Sequence, residues 1–274
     1  MKNTVFFYLL IVLVAFSCSK SENDGIPTYV SVKDIVLETQ PGQGTSKHGI
    51  TTIWAESEGE NFGAHELPIV FPALVSGNRQ FIANAGIQRS GDFFFREIYP
   101  LYTPYNANLT FTPGDTIFLE PVFEYRSGAQ FIFIEDFESS NAFAELTRTS
   151  EDDENNLEGR AAFAQLDENN NAVNTIMNNS IVISRIGRTF VELHYKGTND
   201  LGVGIEGFEN GVSIGANFFS LLEPSPEWRK VHLDITNILN GLDSDEYKFF
   251  IRAALLPGLQ ESNIYIDNFQ IVKI

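Results

Sequence analysis

The sequence is poor in cysteine, tryptophan, methionine and positive charge. Its 274 residues include one Cys, two Trp and two Met. A single Cys excludes internal disulfides and Cys-rich zinc sites. Lys and Arg number 18 against 36 Asp and Glu, a net charge of −18. Nucleic-acid binding rests on basic side chains neutralising phosphates, so this deficit argues against a nucleic-acid partner. Metal-ligand spacing is also missing: His48, His65, His194 and His232 are scattered, and His65-Glu66 is followed by Ile69 where a second His would be needed. Each reads as a surface or strand residue. The acidic stretches Glu151-Asp152-Asp153-Glu154 and Asp167-Glu168-Asn169 lack the spaced ligands, central Gly and final Glu of an EF-hand and read as solvated loops. After residue 25 no stretch sustains helical periodicity over three turns.

Hydrophobic residues make up 43% of the chain, with 24 Phe, enough to fill real cores in a length that suits two domains. Short alternating or β-branched runs recur between turn residues, at 29–37, 50–55, 79–83, 116–125, 131–134, 181–186, 189–196, 231–235, 248–253 and 263–274. This pattern predicts an all-β protein. One helical turn is expected at 236–242, capped by Thr236 or Asn237 and closed near Gly241. The turn-like Arg126-Ser127-Gly128-Ala129 marks a boundary between residues 28–127 and 128–274. Trp54 and Trp228 fall within apolar strand patterns and are expected in the core.

At the N-terminus, Lys2 precedes an apolar run of eleven residues, 5–15. That is too short for a membrane span, which needs ~20 residues, and fits a signal-peptide core. The run ends in Ala15-Phe16-Ser17-Cys18, which resembles a bacterial lipobox, with Ala15 where Leu is usual. The resemblance implies cleavage after residue 17 and acylation of Cys18, with residues 18–27 as a polar tether and the mature 257 residues carrying −19 after the loss of Lys2. Lys20 followed by Glu22 and Asp24 resembles the surface-export signal of Bacteroidota lipoproteins. The implied location is the outer membrane, lipid-anchored and facing the cell exterior.

In residues 28–127, Trp54-Ala55-Glu56, then Gly63-Ala64-His65-Glu66-Leu67-Pro68, Phe71-Pro72-Ala73-Leu74 and Gly86-Ile87 resemble an Ig/PEGA-like β-sandwich. Pro68 and Pro72 belong on an edge or at strand ends. In residues 128–274, Ile134-Glu135-Asp136-Phe137-Glu138, Trp228-Arg229-Lys230-Val231-His232-Leu233-Asp234-Ile235-Thr236 and Ile264-Tyr265-Ile266-Asp267-Asn268-Phe269 resemble a galactose-binding-like jelly roll, as in carbohydrate-binding modules. That resemblance implies a structural Ca²⁺ held by Glu138 and Asp267, with Glu158 as a third ligand. Apolar residues change phase between Ile266 and Phe269, which predicts a β-bulge at Asp267-Asn268.

Gly211-Val212-Ser213-Ile214-Gly215 matches the nucleophile-elbow pattern, but its flanks read as strand and no Asp lies between Ser213 and His232. No catalytic residues are assigned and the protein is expected not to be an enzyme. Exposed aromatic candidates for binding are Tyr99, Tyr102 and Tyr105 in a Pro-rich segment, and Phe218 and Phe219 beside Asn217. The leading expectation is a binding or scaffold subunit of an outer-membrane protein complex. The alternative is a surface glycan-binding protein of a polysaccharide-uptake system.

Overall fold

The computed structural model describes residues 25–89, 94–244 and 246–274. The signal segment and Cys18 lie outside the described residues. In residues 28–124, β1 (Thr28–Val32) lies between β5 (Ile69–Ala73), antiparallel, and β9 (Thr116–Leu119), parallel. β2 (Val36–Glu38) runs parallel to β10 (Val122–Glu124). A third sheet joins β4 (Glu60–Glu66), β3 (Ile50–Ser57), β6 (Gly77–Gln88) and β7 (Arg96–Ile98) in that order, with β8 (Tyr105–Phe111) also on β6. Two sequence runs that read as single strands, 29–37 and 116–125, are each split between two sheets. The breaks have local causes: the Asp34 carboxylate accepts the Ile35 N–H, and Pro121 has no N–H to give a ladder. Pro72 sits in β5, at a sheet edge, where a missing donor is tolerated.

From residue 130 onward two antiparallel sheets face each other as a jelly roll. One has the order β12 (Thr147–Arg148), β13 (Ala162–Asp167), β21 (Glu261–Lys273), β16 (Thr189–Gly197), β19 (Ser225–Asp234), with β11 (Gln130–Glu135) also on β21. The other has the order β14 (Ala172–Ile176), β20 (Glu246–Ala254), β17 (Leu201–Glu209), β18 (Val212–Leu222), with β15 (Ile181–Val182) also on β20. Val191, Leu193 and Tyr195 of β16 meet Val203, Ile205, Phe249 and Ile251 in the core between them. The protein is all-β; its helix α1 (Thr236–Leu242) starts from Ile235, with no side-chain cap, and ends at Asp243 in the left-handed conformation. Thr236 does not cap: its hydroxyl oxygen accepts the Thr189 N–H while its proton goes to Asp234, and the turn runs on through Gly241.

Among the described residues no ladder of two or more pairs joins the two halves; a single bridge links Arg89 and His232. They meet through side chains. Phe190 and Val272 of the jelly roll belong to the hydrophobic core of the first half. On the same face of the β21-β16-β19 sheet stand Glu192, His194, Lys230, His232 and Gln270, paired across strands as Glu192 with His232 and Gln270, and His194 with Lys230. Glu192, fully buried, accepts hydrogen bonds from Tyr99 (2.5 Å) at Oε1, and from Tyr125 (2.7 Å) and Gln270 (2.8 Å) at Oε2. Its Oε2 is also 2.7 Å from the Lys230 ammonium. Burial opposes ionisation of Glu192, but Lys230 and His232 outweigh it and hold the carboxyl at about 2. Burial also keeps His232 neutral, lowered to about 3.

Both shifts make the fold acid-sensitive. The unfolded chain takes up a proton on His232 below about 6.5 and on Glu192 below about 4.5, where the folded chain does not, so stability falls as pH drops through those windows. Lys230→Met would leave Glu192 buried without its counter-ion and is expected to cost about 3–5 kcal/mol in urea denaturation. Adding Glu192→Leu to it should recover most of that loss; a double variant no better than the single would show that the pair does not act as a unit.

Candidate functional site

The β21-β16-β19 sheet spends its outer face on the first half, whereas the outer face of the β14-β20-β17-β18 sheet is open. There Gly202 and Gly204 remove two side chains from the sheet surface. A Cβ on Gly202 would stand 2.9 Å from the Phe218 ring, and one on Gly204 would run into the Phe250 ring, so both aromatics lie against bare backbone. Phe250 is buried and Phe218 packs edge-on against it at 4.9 Å, itself 54% exposed. The Arg252 guanidinium lies 4.3 Å from the Phe250 centroid and 5.2 Å from that of Phe218, and its Nε–H donates to Asn174 Oδ1 at 2.6 Å. Phe218, Arg252, Asn174, Asp200 and Leu221 line an open, largely apolar groove of about 460 Å³. Across Ala172, Val173 and Asn174 it continues into a polar pocket of about 330 Å³ bearing Gln165, Asp167 and Asn170. An exposed ring with a planar cation and an amide at its side can take an apolar face and hydroxyls together.

A second feature is acidic. Asp136, Glu138, Glu158 and Asp267 line one cavity of about 410 Å³ with Gly42, Gly44 and Thr45 of the first half. The expected bulge is present: opposite Glu192 and His194, β21 carries an extra residue between Asp267 and Gln270, and Asn268 is left-handed at φ 50°. It falls where β13 stops pairing with β21 and β11 begins, at Ile266 and Phe269. Asp267 Oδ1 accepts the Asn268 N–H at 2.7 Å, while Oδ2 is buried without a partner. Burial, then the carboxylates of Glu158, Glu138 and Asp136, push Asp267 up to about 8, against the Asn268 N–H. Glu138 accepts the Arg160 N–H at 2.8 Å, and Glu158 accepts from Asn268 Nδ2 at 3.0 Å. These acids share a cavity, yet among the described residues no group of three His, Cys, Asp or Glu side chains is gathered closely enough to hold a metal. The three residues named for Ca²⁺ line the same cavity without closing into a ligand set, with Asp136 as a further acid on its wall.

Other candidates are placed differently. Tyr99 and Tyr102, expected to be exposed, are 1% and 2% exposed. Their hydroxyls turn to Glu192 and towards His232, so their polar tips are satisfied inside. Tyr105 is half-buried against the first core. Phe219 occupies a bulge of β18 and turns inward to Phe249 at 6.2 Å, unlike its neighbour Phe218. Neither Trp is fully buried: Trp54 and Trp228 are half-buried, and Trp228 Nε1 donates to the Asn155 carbonyl at 2.8 Å. His194 and His232 lie on strands but are buried at the junction of the halves. Asn210 and Gly211 make the β17–β18 turn with positive φ, and Ser213 lies within β18, so no nucleophile elbow forms. Arg252, Asn174 and the two glycines of the groove were not found from sequence; the alternation of Gly202, Gly204 and Phe250, Arg252 was their one available signal.

No protein family matches the chain, and no curated protein does. Among solved structures, TmCBM61 in complex with β-1,4-galactotriose shares 11% identity over 54% of this chain and 90% of its own, at a TM-score of 0.30. A family 29 carbohydrate-binding module shares 17% over 54% of this chain and 88% of its own, at 0.33. The enzymatically active domain of a bacteriophage CBA120 tailspike shares 11% over 53% of this chain but 19% of its own, at 0.32. Likeness at this level carries no argument about ligand or chemistry, which rests on the groove and the cavity themselves.

With divalent cations chelated, the folded chain holds a proton on Asp267 up to about 8 and the unfolded chain releases it near 3.8, so stability is expected to fall as pH rises across that window. Above pH 6.5 the buried histidines no longer oppose the trend, and the slope approaches about 1.4 kcal/mol per pH unit. Asp267→Asn should flatten it in urea denaturation between pH 6.5 and 8; an unchanged slope would place the effect elsewhere.

Proposed function

We propose that this protein is a non-catalytic glycan-binding protein whose ligand lies along the outer face of the β14-β20-β17-β18 sheet. The observation that carries the reading is the groove in which Phe218 stands exposed beside Arg252 and Asn174. The ring offers an apolar platform for a sugar face, the guanidinium and amide orient hydroxyls, and the adjoining polar pocket extends the track for a longer chain. The lipobox-like sequence at Cys18 supports an acylated tether to the outer membrane, facing outward, and the Ig/PEGA-like reading of the first half makes it a spacer that carries the jelly roll. Docking on an outer-membrane protein complex takes second place, because Tyr99 and Tyr102, which could have offered a protein-contact edge, are inside the fold, whereas the groove at Phe218 is open.

In native affinity gels loaded with a broad panel of polysaccharides, at least one should retard the protein. Phe218→Ala and Arg252→Ala should each weaken that retardation about tenfold or more, equivalent to about 1.4 kcal/mol. Migration unchanged on every polysaccharide, or variants that bind like the parent, would overturn the reading.

We also propose a structural Ca²⁺ in the acidic cavity, which would draw its carboxylates closer together than they stand in the structure. Hard cations take carboxylate and carbonyl oxygens, and Asp267, Glu158 and Glu138 supply the first kind around a buried oxygen with no partner. The cation would displace the proton from Asp267 and relieve repulsion among the acids, stabilising the fold by mass action. A chelator is expected to lower the melting temperature by several degrees and excess Ca²⁺ to restore it, with the response lost in Asp267→Asn. No metal by elemental analysis together with no shift ends this assignment.

A further inference from the structure

The first half keeps an apolar face in water. In the β5-β1-β9 sheet the register places Phe118, Ser31 and Val70 in one cross-strand row, and Thr116, Tyr29 and Pro72 in the next. The residues that alternate with them, Val30, Val32, Phe71 and Ala73, belong to the first core. On the outer face Phe118 is 72% exposed, Val70 55% and Tyr29 40%. Thr116 and Pro72 are exposed as well, and Leu74 follows just past β5, also 72% exposed. Single exposed apolar residues are ordinary. Two adjacent rows without one charged side chain are not, in a chain of net charge −18.

Size, charge and position select its occupant. The sheet is three strands wide and at most five residues long, which at ~4.8 Å per strand and ~3.4 Å per residue presents roughly 250 Å². That is well short of the ~800 Å² per partner of a stable protein interface. Asp115 and Glu120, both exposed, stand at the two ends of β9, so an anionic surface or a second copy of this acidic chain would meet like charge there. The face is also on the first strand of the fold. Tyr29 lies 11 residues after Cys18, a span of at most about 40 Å. A contact too small to hold two free molecules suffices once one end is tethered, because it then forms within a single assembly. Phe and Val suit the acyl boundary of a bilayer, and Tyr suits its polar margin.

We propose that the outer face of the β5-β1-β9 sheet docks on a neutral lipid surface, with Phe118, Val70 and Tyr29 at the boundary between headgroups and acyl chains. The proposal rests on the reading of Cys18 as an acylated anchor and is independent of the sheet-face groove.

The test uses the full-length protein with Thr116→Cys, which sets a thiol on this face, or Ser213→Cys, which sets one on exposed β18 of the open sheet. Each is labelled with a polarity-sensitive fluorophore and placed on phosphatidylcholine vesicles whose lipid carries a nitroxide quencher. The label at 116 should shift to the blue and lose at least half of its emission, while the label at 213 stays unchanged. Adding Phe118→Asp and Val70→Asp should cut the quenching at 116 at least threefold with the protein still on the vesicles. If that variant does not fold by circular dichroism, Phe118→Asn alone carries the comparison. A Cys18 with lipid on its sulfur takes no label, so two labels per chain would remove the anchor reading. The face is then judged by quenching at saturating lipid, whose presence upholds it and whose absence overturns it. Equal quenching at 116 and 213, quenching that survives the substitutions, stronger quenching on vesicles rich in phosphatidylglycerol, or a dimer in sedimentation velocity that the same substitutions dissolve would each overturn the proposal.

Discussion

The carboxylate of Glu192 sets the arrangement of the whole molecule. A charge taken out of water is tolerated when paired and hydrogen-bonded, and the partners of this one come from both halves: Tyr99 and Tyr125 from the first, Lys230 and Gln270 from the jelly roll. Around it Phe190 and Val272 extend the first core into the second half. The ion pair supplies direction where hydrophobic contact alone would allow sliding, because each bond requires a definite side chain at a definite place. The remaining polar groups of this junction, His194 and His48, are drawn into the same desolvated layer and end up beside a cleft instead of in solvent.

That junction also decides where ligands can go. A jelly roll has two outer faces, and the β21-β16-β19 face is covered by the first half. The opposite sheet keeps its outer face in water, and there the absence of side chains at Gly202 and Gly204 lets Phe218 and Phe250 lie on the backbone under Arg252. Along β21 the same strand serves two ends: Gln270 joins the Glu192 network, and three residues earlier the bulge turns Asp267 into the acidic cavity. An extra residue in one strand thus separates a neutralised site from one in which like charges crowd.

Much of the architecture is readable from periodicity. Strand runs at 50–55, 189–196 and 248–253 correspond to β3, β16 and β20, and the phase change between Ile266 and Phe269 marks the bulge. The ligand-facing chemistry is less readable. Tyr99 and Tyr102 look like surface residues because they sit among prolines, yet a tyrosine next to a turn can point inward when a buried acceptor awaits it. Phe218 and Phe219 look alike in sequence and part company because neighbouring residues of a strand face opposite sides, Phe219 towards Phe249 in the core and Phe218 towards solvent. The runs 29–37 and 116–125 look continuous because apolar residues persist through breaks made by Asp34 and Pro121.

The sequence by itself determined the all-β class, the strand-length apolar runs and the acidic balance, since each follows from local composition or period; that Glu138, Glu158 and Asp267 share a cavity was implied only by the jelly-roll resemblance. Tertiary structure alone decided which polar residues are inside. Glu192, His194, Lys230 and His232 alternate with apolar residues as any half-exposed strand would, and the pattern is the same whether the polar face meets water or another domain. The first half covers that face, and desolvation there turns ordinary strand residues into a buried ion pair and two neutral imidazoles.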